Sequence, residues 1–432
     1  MTQSSNRARD LTLELWTKTR IDWGFATERI ADAFRRERGL GSSERREVAE
    51  TLYGMIRQSR RIDFALEGFR LHGDRRELAR YLTYRLLEGE IKPADAAREI
   101  PGDWKAVAAV DERITHERNE VRRLALRRSL PDWLARRLVD QNGAEEADAM
   151  AAALNQRAPL TVRANLLKIE RDALAERLRA DGVETHPTRW ASAGLTLDTR
   201  VNVFGLAAFK EGLFEAQDEA SQLVAELVAP PRGLVVDACA GAGGKTLALG
   251  AQMGSRGTIV ALDVDERKLV ELRRRARRAG LSNARAITVD DGGGWPDEVE
   301  ALRGHAERVL VDAPCSGIGA LRRNPEARWR LTEEDLRRLP KKQLAIAQKS
   351  ASLVASGGRL IYATCTLLRE ENEAVVEALL AGPLAGWEPV RAAEVWGNQR
   401  ALQMSDATGT YLKLFPHRHD TDGFFAAVLR RR

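Results

Sequence analysis

From Phe214 onward, short apolar runs alternate with helical stretches, and this alternation constrains the fold more than any other feature of the chain. LVVDACA, TIVALDV, ARAITVD, RVLVDAPC and GRLIYATC are each of strand length and rich in aliphatic residues. Continuous apolar runs suit strands covered on both faces, the situation in a parallel sheet. Helical stretches such as DERKLVELRRRARRAG and KKQLAIAQKSASLVASG separate them. Residues 214–432 are therefore predicted to form an α/β Rossmann-like domain, with two further strands in TYLKLF and GFFAAVLR. In such a sheet, ligands and catalytic groups gather at the carboxyl ends of the strands, around the switch in strand order.

At 432 residues the chain exceeds one ordinary core. From Arg7 to about Arg128, apolar residues recur at spacings of three and four, which predicts an all-α domain of about six helices over residues 1–128. Residues 129–213 read as a small α+β module, RRM-like in its β–α–β–β order, with strands in PLTVRANLL, GLTLDT and VNVF. No run of ~18 apolar residues exists, so no membrane association is expected. MTQSSNRARD lacks the apolar region of a secretion signal, and three cysteines make no disulfide framework, so a reducing cytoplasm is the expected location. The net charge is +6, and arginines outnumber lysines 58 to 11. That balance suits a polyanionic partner, RNA among them, and equally a well-solvated basic surface.

The first run of the α/β domain ends in a glycine-rich turn, Asp237-Ala-Cys-Ala-Gly241-Ala-Gly243-Gly244-Lys245-Thr246. A phosphate-binding P-loop would need glycine where Cys239 stands, and a dinucleotide fingerprint would need it at Thr246. S-adenosylmethionine asks for a glycine-rich first turn and an acid ending the second strand, where it can hold both ribose hydroxyls. Asp263 in IVALDVD occupies that place, and Asp291 after the third strand can face an adenine amine. An acid after the second strand suits NAD as well, so a dehydrogenase remains open on this feature alone.

The fourth run ends in Asp312-Ala-Pro-Cys315-Ser-Gly and the fifth in Ala-Thr-Cys365-Thr, so two cysteines fall at neighbouring strand ends beside the presumed cofactor. A buried cysteine is commonly just a small hydrophobe. No Cys-x-x-Cys or His pair accompanies these two, which argues against a zinc site, and a regulatory disulfide is an alternative that leaves Asp312 unexplained. A thiolate at this edge has a use in methylating carbon 5 of cytosine. Its attack on carbon 6 breaks the aromaticity and makes carbon 5 nucleophilic; a base then removes the carbon 5 proton and the thiol leaves. Lys245 and a bound sulfonium can supply the positive field that a thiolate needs, and Asp312 can hydrogen-bond the ring nitrogen or exocyclic amine.

DACAGAGGKT, ALDVDERK, VDAPCSGIGALRRNPEARWR, LIYATCTLLREENE and HDTDGFFAA resemble successive motifs of the RsmB-like cytosine-C5 RNA methyltransferases, the Sun/NOP superfamily. The resemblance implies a class I methyltransferase domain. It makes Cys365 the nucleophile, Cys315 the residue assisting release, and Asp312 and Lys245 their catalytic neighbours. It places S-adenosylmethionine on Cys239, Ala240, Gly241, Ala242, Gly243, Gly244, Lys245, Asp263, Asp291 and Asp312, with Asp290 the alternative to Asp291. The helical N-terminus more loosely resembles the NusB-like RNA-binding domain of bacterial ribosomal members; the family analogy implies small-subunit (16S) ribosomal RNA as the substrate, and a monomer is expected. Transfer RNA and large-subunit RNA are alternative targets, and a non-catalytic ribosome-assembly factor is an alternative role. The family's usual Ala-Pro-Gly-Gly-Lys is replaced here by Gly241-Ala242-Gly243-Gly244-Lys245, a loss of proline that should loosen the loop. In LRRNPEARWR, Arg322, Arg323, Arg328 and Arg330 are candidate RNA contacts around Trp329, against the alternative of a solvated loop with a packed tryptophan.

Overall fold

The computed structural model describes residues 3–432, which divide into two compact units. One comprises the chain up to Arg157 together with Ala320–Glu333; the other comprises Ala158–Gly319 and Glu334–Arg432. The helices Asp132–Asn142 and Ala144–Asn155, read from sequence as the opening of the α+β module, lie in the first unit. Among the described residues, no helix is long and apolar enough to cross a membrane.

The first unit is all-helical. Nine helices lie between Gln3 and Arg127, where periodicity predicts about six. Two of the breaks are single residues, Gln58 and Ala109: Gln58, at φ −101°, separates Ser42–Arg57 from Ser59–Ala65. A one-residue interruption barely disturbs a 3.6-residue pattern, so the pair reads as one helix. The core is formed by residues such as Trp16, Leu52, Met55, Ile56 and Trp104, all buried.

In the second unit, strands β1 (Thr161–Ala164), β2 (Thr185–Pro187), β3 (Gly194–Leu197) and β4 (Phe214–Ala216) form an antiparallel sheet in the order β2-β3-β1-β4, with the helix Arg171–Ala180 crossing from β1 to β2. VNVF, expected as a strand, is instead a 3-10 turn, Val203–Gly205. Three side chains of RANLLK tie this sheet down. Arg163 Nη1 donates to Gly244 O (3.0 Å), Asn165 Nδ2 to Gly212 O and Ala279 O (both 2.8 Å), and Lys168 Nζ to Arg278 O (2.8 Å).

The larger sheet contains β5 (Leu234–Asp237), β6 (Thr258–Asp263), β7 (Ala284–Thr288), β8 (Ala306–Asp312), β9 (Val354–Thr364), β10 (Glu388–Val390), β11 (Leu412–Leu414) and β12 (Phe424–Arg430). Its order is β10-β12-β9-β8-β5-β6-β7, with β11 on β12; the strands from β9 to β7 run parallel, β12 pairs antiparallel with β9, and β10 and β11 each pair antiparallel with β12. Neighbouring residues serve opposite faces. Val235, Ile259 and Leu310 enter one core, while Val236, Val260 and Val309 enter the other. Each such side chain contributes roughly 1.5–3 kcal/mol by leaving water. A slip by one residue exchanges every side chain between the two cores, so the packing on both faces fixes the register. The chain proceeds from β5 to β6 to β7 on one side and returns to β8 on the other. The switch point thus lies between β5 and β8.

Candidate active site

The strand order β9-β8-β5-β6 sets the turns after Thr364, Asp312, Asp237 and Asp263 side by side. Cys315 and Cys365 meet there, with their sulfur atoms 3.4 Å apart. The hydrogen bond to Cys365, then burial, push the Cys315 thiol well above its usual range. Lys245 heads the same edge from the helix Gly244–Gln252 and is 8% exposed. Its Nζ lies 2.5 Å from Asp312 Oδ2 and 5.1 Å from the Phe424 ring centroid. Burial works against its charge, but Asp312 first and Cys365 after it hold the ammonium above its ordinary range. The ammonium therefore keeps its charge at this edge of the sheet.

Beside this group lies a cleft of about 260 Å³. Cys239, Gly241, Asp263, Asp291 and Asp312 line it, and so does Asp290. Asp263 Oδ2 accepts from Gly241 N (2.8 Å) and Oδ1 from Asp265 N (2.9 Å), which locks the carboxylate at the rim and leaves a second lone pair on each oxygen for ligand hydroxyls. Val264, Val289, Trp295 and Ile346 supply an apolar slot for a flat ring. The donor set, an oriented acid beside an apolar slot, fits an adenosyl group. Asp291 Oδ2 is paired with Lys342 Nζ at 2.6 Å. Burial keeps Cys239 a thiol, so it lines the cleft without acting as a nucleophile.

Ala240, Ala242, Gly243, Gly244 and Lys245 do not line the cleft; they build the turn beneath it. Gly243 has φ +86°, and a Cβ there would stand 2.6 Å from Leu272 Cγ, so glycine is required twice over. The absent proline is answered by Arg275, whose Nη1 grips Ala242 O at 2.7 Å.

The arginine segment corrects its sequence reading. Arg322 and Arg328 are 4% and 0% exposed, inside the helical unit. Arg328 Nη1 donates to Asn155 Oδ1 (2.6 Å) and Ser129 O (3.3 Å), and Arg322 Nη2 to Arg157 O (3.0 Å). Burial lowers the Arg328 guanidinium to about 9. These two staple the segment and are not phosphate contacts. Trp329 is packed, with its Nε1 on Ile56 O (2.8 Å) and its ring against Trp23. Arg323 is half-buried, and Arg330 is exposed over Phe25.

Sequence reasoning passed over Glu371. It lies in the acidic run REENE and reads as a solvated face, yet it is wholly buried between the cysteine turns. The signals were its nearness to Cys365 and its place in the motif LIYATCTLLREENE.

A family model described as "16S rRNA methyltransferase RsmB/F" matches residues 226–430, and a ferredoxin-like domain of the same methyltransferases matches 130–204. A probable ribosomal RNA small subunit methyltransferase B of Synechocystis is 32% identical over 424 residues, 91% of this chain and 92% of that protein. This chain belongs to the RsmB/F family. The counterpart in Bacillus subtilis is 33% identical over 72% of this chain and 68% of its own length. The RsmB/F architecture is matched in the crystal structure of PH0851 (TM-score 0.80, 25% identity, 100% and 99% of the two chains). It is matched also in a methyltransferase homologue from Pyrococcus horikoshii (0.61, 28%, 73% and 100%). RsmB/F proteins are S-adenosylmethionine-dependent methyltransferases. Both cysteines, Lys245, the cleft and Glu371 fall within the RsmB/F match.

Proposed function

We propose that this protein transfers a methyl group to carbon 5 of a cytosine in small-subunit ribosomal RNA, through a covalent bond between Cys365 and cytosine carbon 6. The observation that carries this reading is the pair of sulfurs 3.4 Å apart beside the buried Lys245 ammonium. A methyltransferase acting on an amino group needs neither cysteine. When bound, S-adenosylmethionine supplies the electrophilic methyl; Asp263 would hold its ribose, and Asp290 or Asp291 its adenine edge.

The chain's own residues do the rest. Cys365 contributes the sulfur that bonds to carbon 6, with Lys245 stabilising its anionic form. Asp312, fixed by Lys245 and lining the cleft, accepts a hydrogen bond from the cytosine edge. Once carbon 5 has taken the methyl it loses its proton to a base. The electrons of that bond restore the ring double bond, and the Cys365 sulfur departs with its pair. Cys315, held as a thiol at the departing sulfur, assists this release. A target base must be unstacked to reach the pocket, so a loop or opened helix is the expected site.

The decisive experiment mixes Cys315→Ala protein with RNA and cofactor and resolves the products on a denaturing gel. A covalent adduct is expected, lost in the Cys315→Ala/Cys365→Ala double variant. Methyl transfer surviving in Cys365→Ala would sink the mechanism. The RNA assignment draws on the names of the Synechocystis and Bacillus relatives. Bisulfite sequencing of total RNA from a deletion strain tests it, and loss of methylation at a transfer-RNA position alone would overturn it.

A further inference from the structure

We propose that Glu371 is a positioning residue for this reaction: its carboxylate straps together the turns carrying Cys315 and Cys365 and so fixes the separation of the two sulfurs. The inference rests on the cysteine-pair reading above.

Glu371 ends the 3-10 turn Arg369–Glu371 and is 0% exposed. It accepts from both neighbours of the cysteines. Ser316 N (2.8 Å) and Ser316 Oγ (2.5 Å) come from the first turn, and Thr366 Oγ1 (3.1 Å) from the second. The two hydroxyls also touch each other, at 2.8 Å. Gln343 Nε2 adds a fourth bond at 2.8 Å while reaching Pro314 O at 3.1 Å, the residue before Cys315. Tyr362 Oη donates to the Glu371 carbonyl (2.6 Å) and to Gln343 Oε1 (3.2 Å), and so holds the strap from below. On the Cys365 side, Asn372 Nδ2 donates to Thr366 O (3.1 Å), and Gly319 N donates to Cys365 O (3.0 Å).

Among the described residues, no cation lies within ion-pair distance of this carboxylate. Neutral donors alone satisfy it, and they come from the segments whose spacing matters. An ionised group buried without a counter-ion is costly, and simple packing would be served by an apolar side chain. A carboxylate with four acceptor sites can collect donors from both turns at once; a glutamine must present an amide N–H to at least one donor. The charge has a second effect. It adds to the hydrogen bond and burial that keep Cys315 a thiol.

The test compares Glu371→Gln, Glu371→Asp and the parent, using a small-subunit ribosomal RNA transcript and S-adenosylmethionine. Misplacing reacting groups by about 1 Å costs on the order of 100-fold, so kcat of Glu371→Gln should fall by about that factor, with KM for RNA and cofactor Kd within roughly threefold of the parent. Glu371→Asp, which keeps the charge on a shorter arm, should recover about tenfold of that loss. The pH dependence of iodoacetamide labelling at Cys315, read by peptide mass spectrometry, should move to lower pH in Glu371→Gln, a change that loosened packing alone would not produce. A folded Glu371→Gln with kcat within about threefold of the parent, or an unmoved Cys315 profile, overturns the proposal. Should Glu371→Gln not fold, Thr366→Val decides, since it keeps the shape and removes one donor. A kcat loss of about tenfold supports the strap, and an unchanged kcat overturns it. Cys365→Ala runs alongside: activity there fails the underlying mechanism, whereas an inactive Cys365→Ala with an active Glu371→Gln fails the strap alone.

Discussion

At the scale of single residues, the site is a set of buried charges whose protonation is fixed by what surrounds them. Asp237, 1% exposed, ends β5, and its carboxylate accepts from Thr246 Oγ1 at 2.7 Å. Burial is the main cause that raises it to about 6 from an ordinary 3.8. An acid raised in the folded state binds its proton more tightly there than when unfolded. Its favourable contribution is therefore complete below pH 3.8 and lost as pH rises through 6, beyond which a buried charge is carried at a cost. Asp237→Asn keeps the acceptor for Thr246 and removes the charge. It should be more stable than the parent by about 2–3 kcal/mol at pH 8, with the gain vanishing near pH 4. Urea unfolding at three pH values checks this, and a pH-independent difference would refute it. Lys245 carries the opposite lesson. Lys245→Met leaves Asp312 without its partner and Cys365 without its cation, so single-turnover methyl transfer should fall by a factor of about 10²–10³. Iodoacetamide labelling of Cys365 at neutral pH should slow in parallel; unchanged labelling would show that the cation does not serve the thiolate.

At the scale of elements, legibility tracked periodicity. The five apolar runs became β5 to β9 because parallel strands buried on both faces carry a signal in every residue. With those strands placed, the rule that chemistry gathers at their carboxyl ends was enough to bring Cys315 and Cys365 together. Short segments without a period were not legible. VNVF is apolar enough for a strand yet forms a single turn, and a one-residue break at Gln58 is invisible in a helical pattern. LRRNPEARWR misled most, because a run of arginines says nothing about its own burial. Its four-residue helix Ala327–Arg330 carries Arg328 inward to the carbonyl ends of neighbouring helices. The two readings of that segment separate cleanly by experiment. Arg328→Ala should destabilise the helical unit by about 2–4 kcal/mol, since buried acceptors lose their donor. The salt dependence of RNA binding should keep its slope, whereas a lost phosphate contact would reduce that slope by about one. A reduced slope in a fully stable variant would restore the phosphate reading.

At the scale of the whole molecule, every residue that lines the cofactor cleft belongs to the second compact unit. The glycine turn, Asp263, the cysteines and the small four-stranded module share that unit, the module being fastened through Arg163, Asn165 and Lys168. The sequence pattern separated module from catalytic domain because it registers changes of period. It is blind to the side chains that bond them, these three and Glu215 of β4 with Arg275 and Arg278 among them, since RANLLK looks like any strand leading into a turn. A ligand that binds only the folded state stabilises whatever must be folded to bind it, by about 2.7 kcal/mol at a hundred times Kd. S-adenosylmethionine at that level should therefore slow amide hydrogen exchange in both the large sheet and β1 to β4 by about a hundredfold wherever exchange requires opening of the unit. The core helices of the first unit, such as Ser42–Arg57, should exchange at their original rate. Asn165→Ala, which removes the bond to Ala279 O but leaves those of Arg163, Lys168 and Glu215, should weaken the response in β1 to β4 while the large sheet keeps its protection. Protection confined to the large sheet in the parent protein would show instead that the module opens independently and that its side-chain ties do not make it part of the catalytic unit.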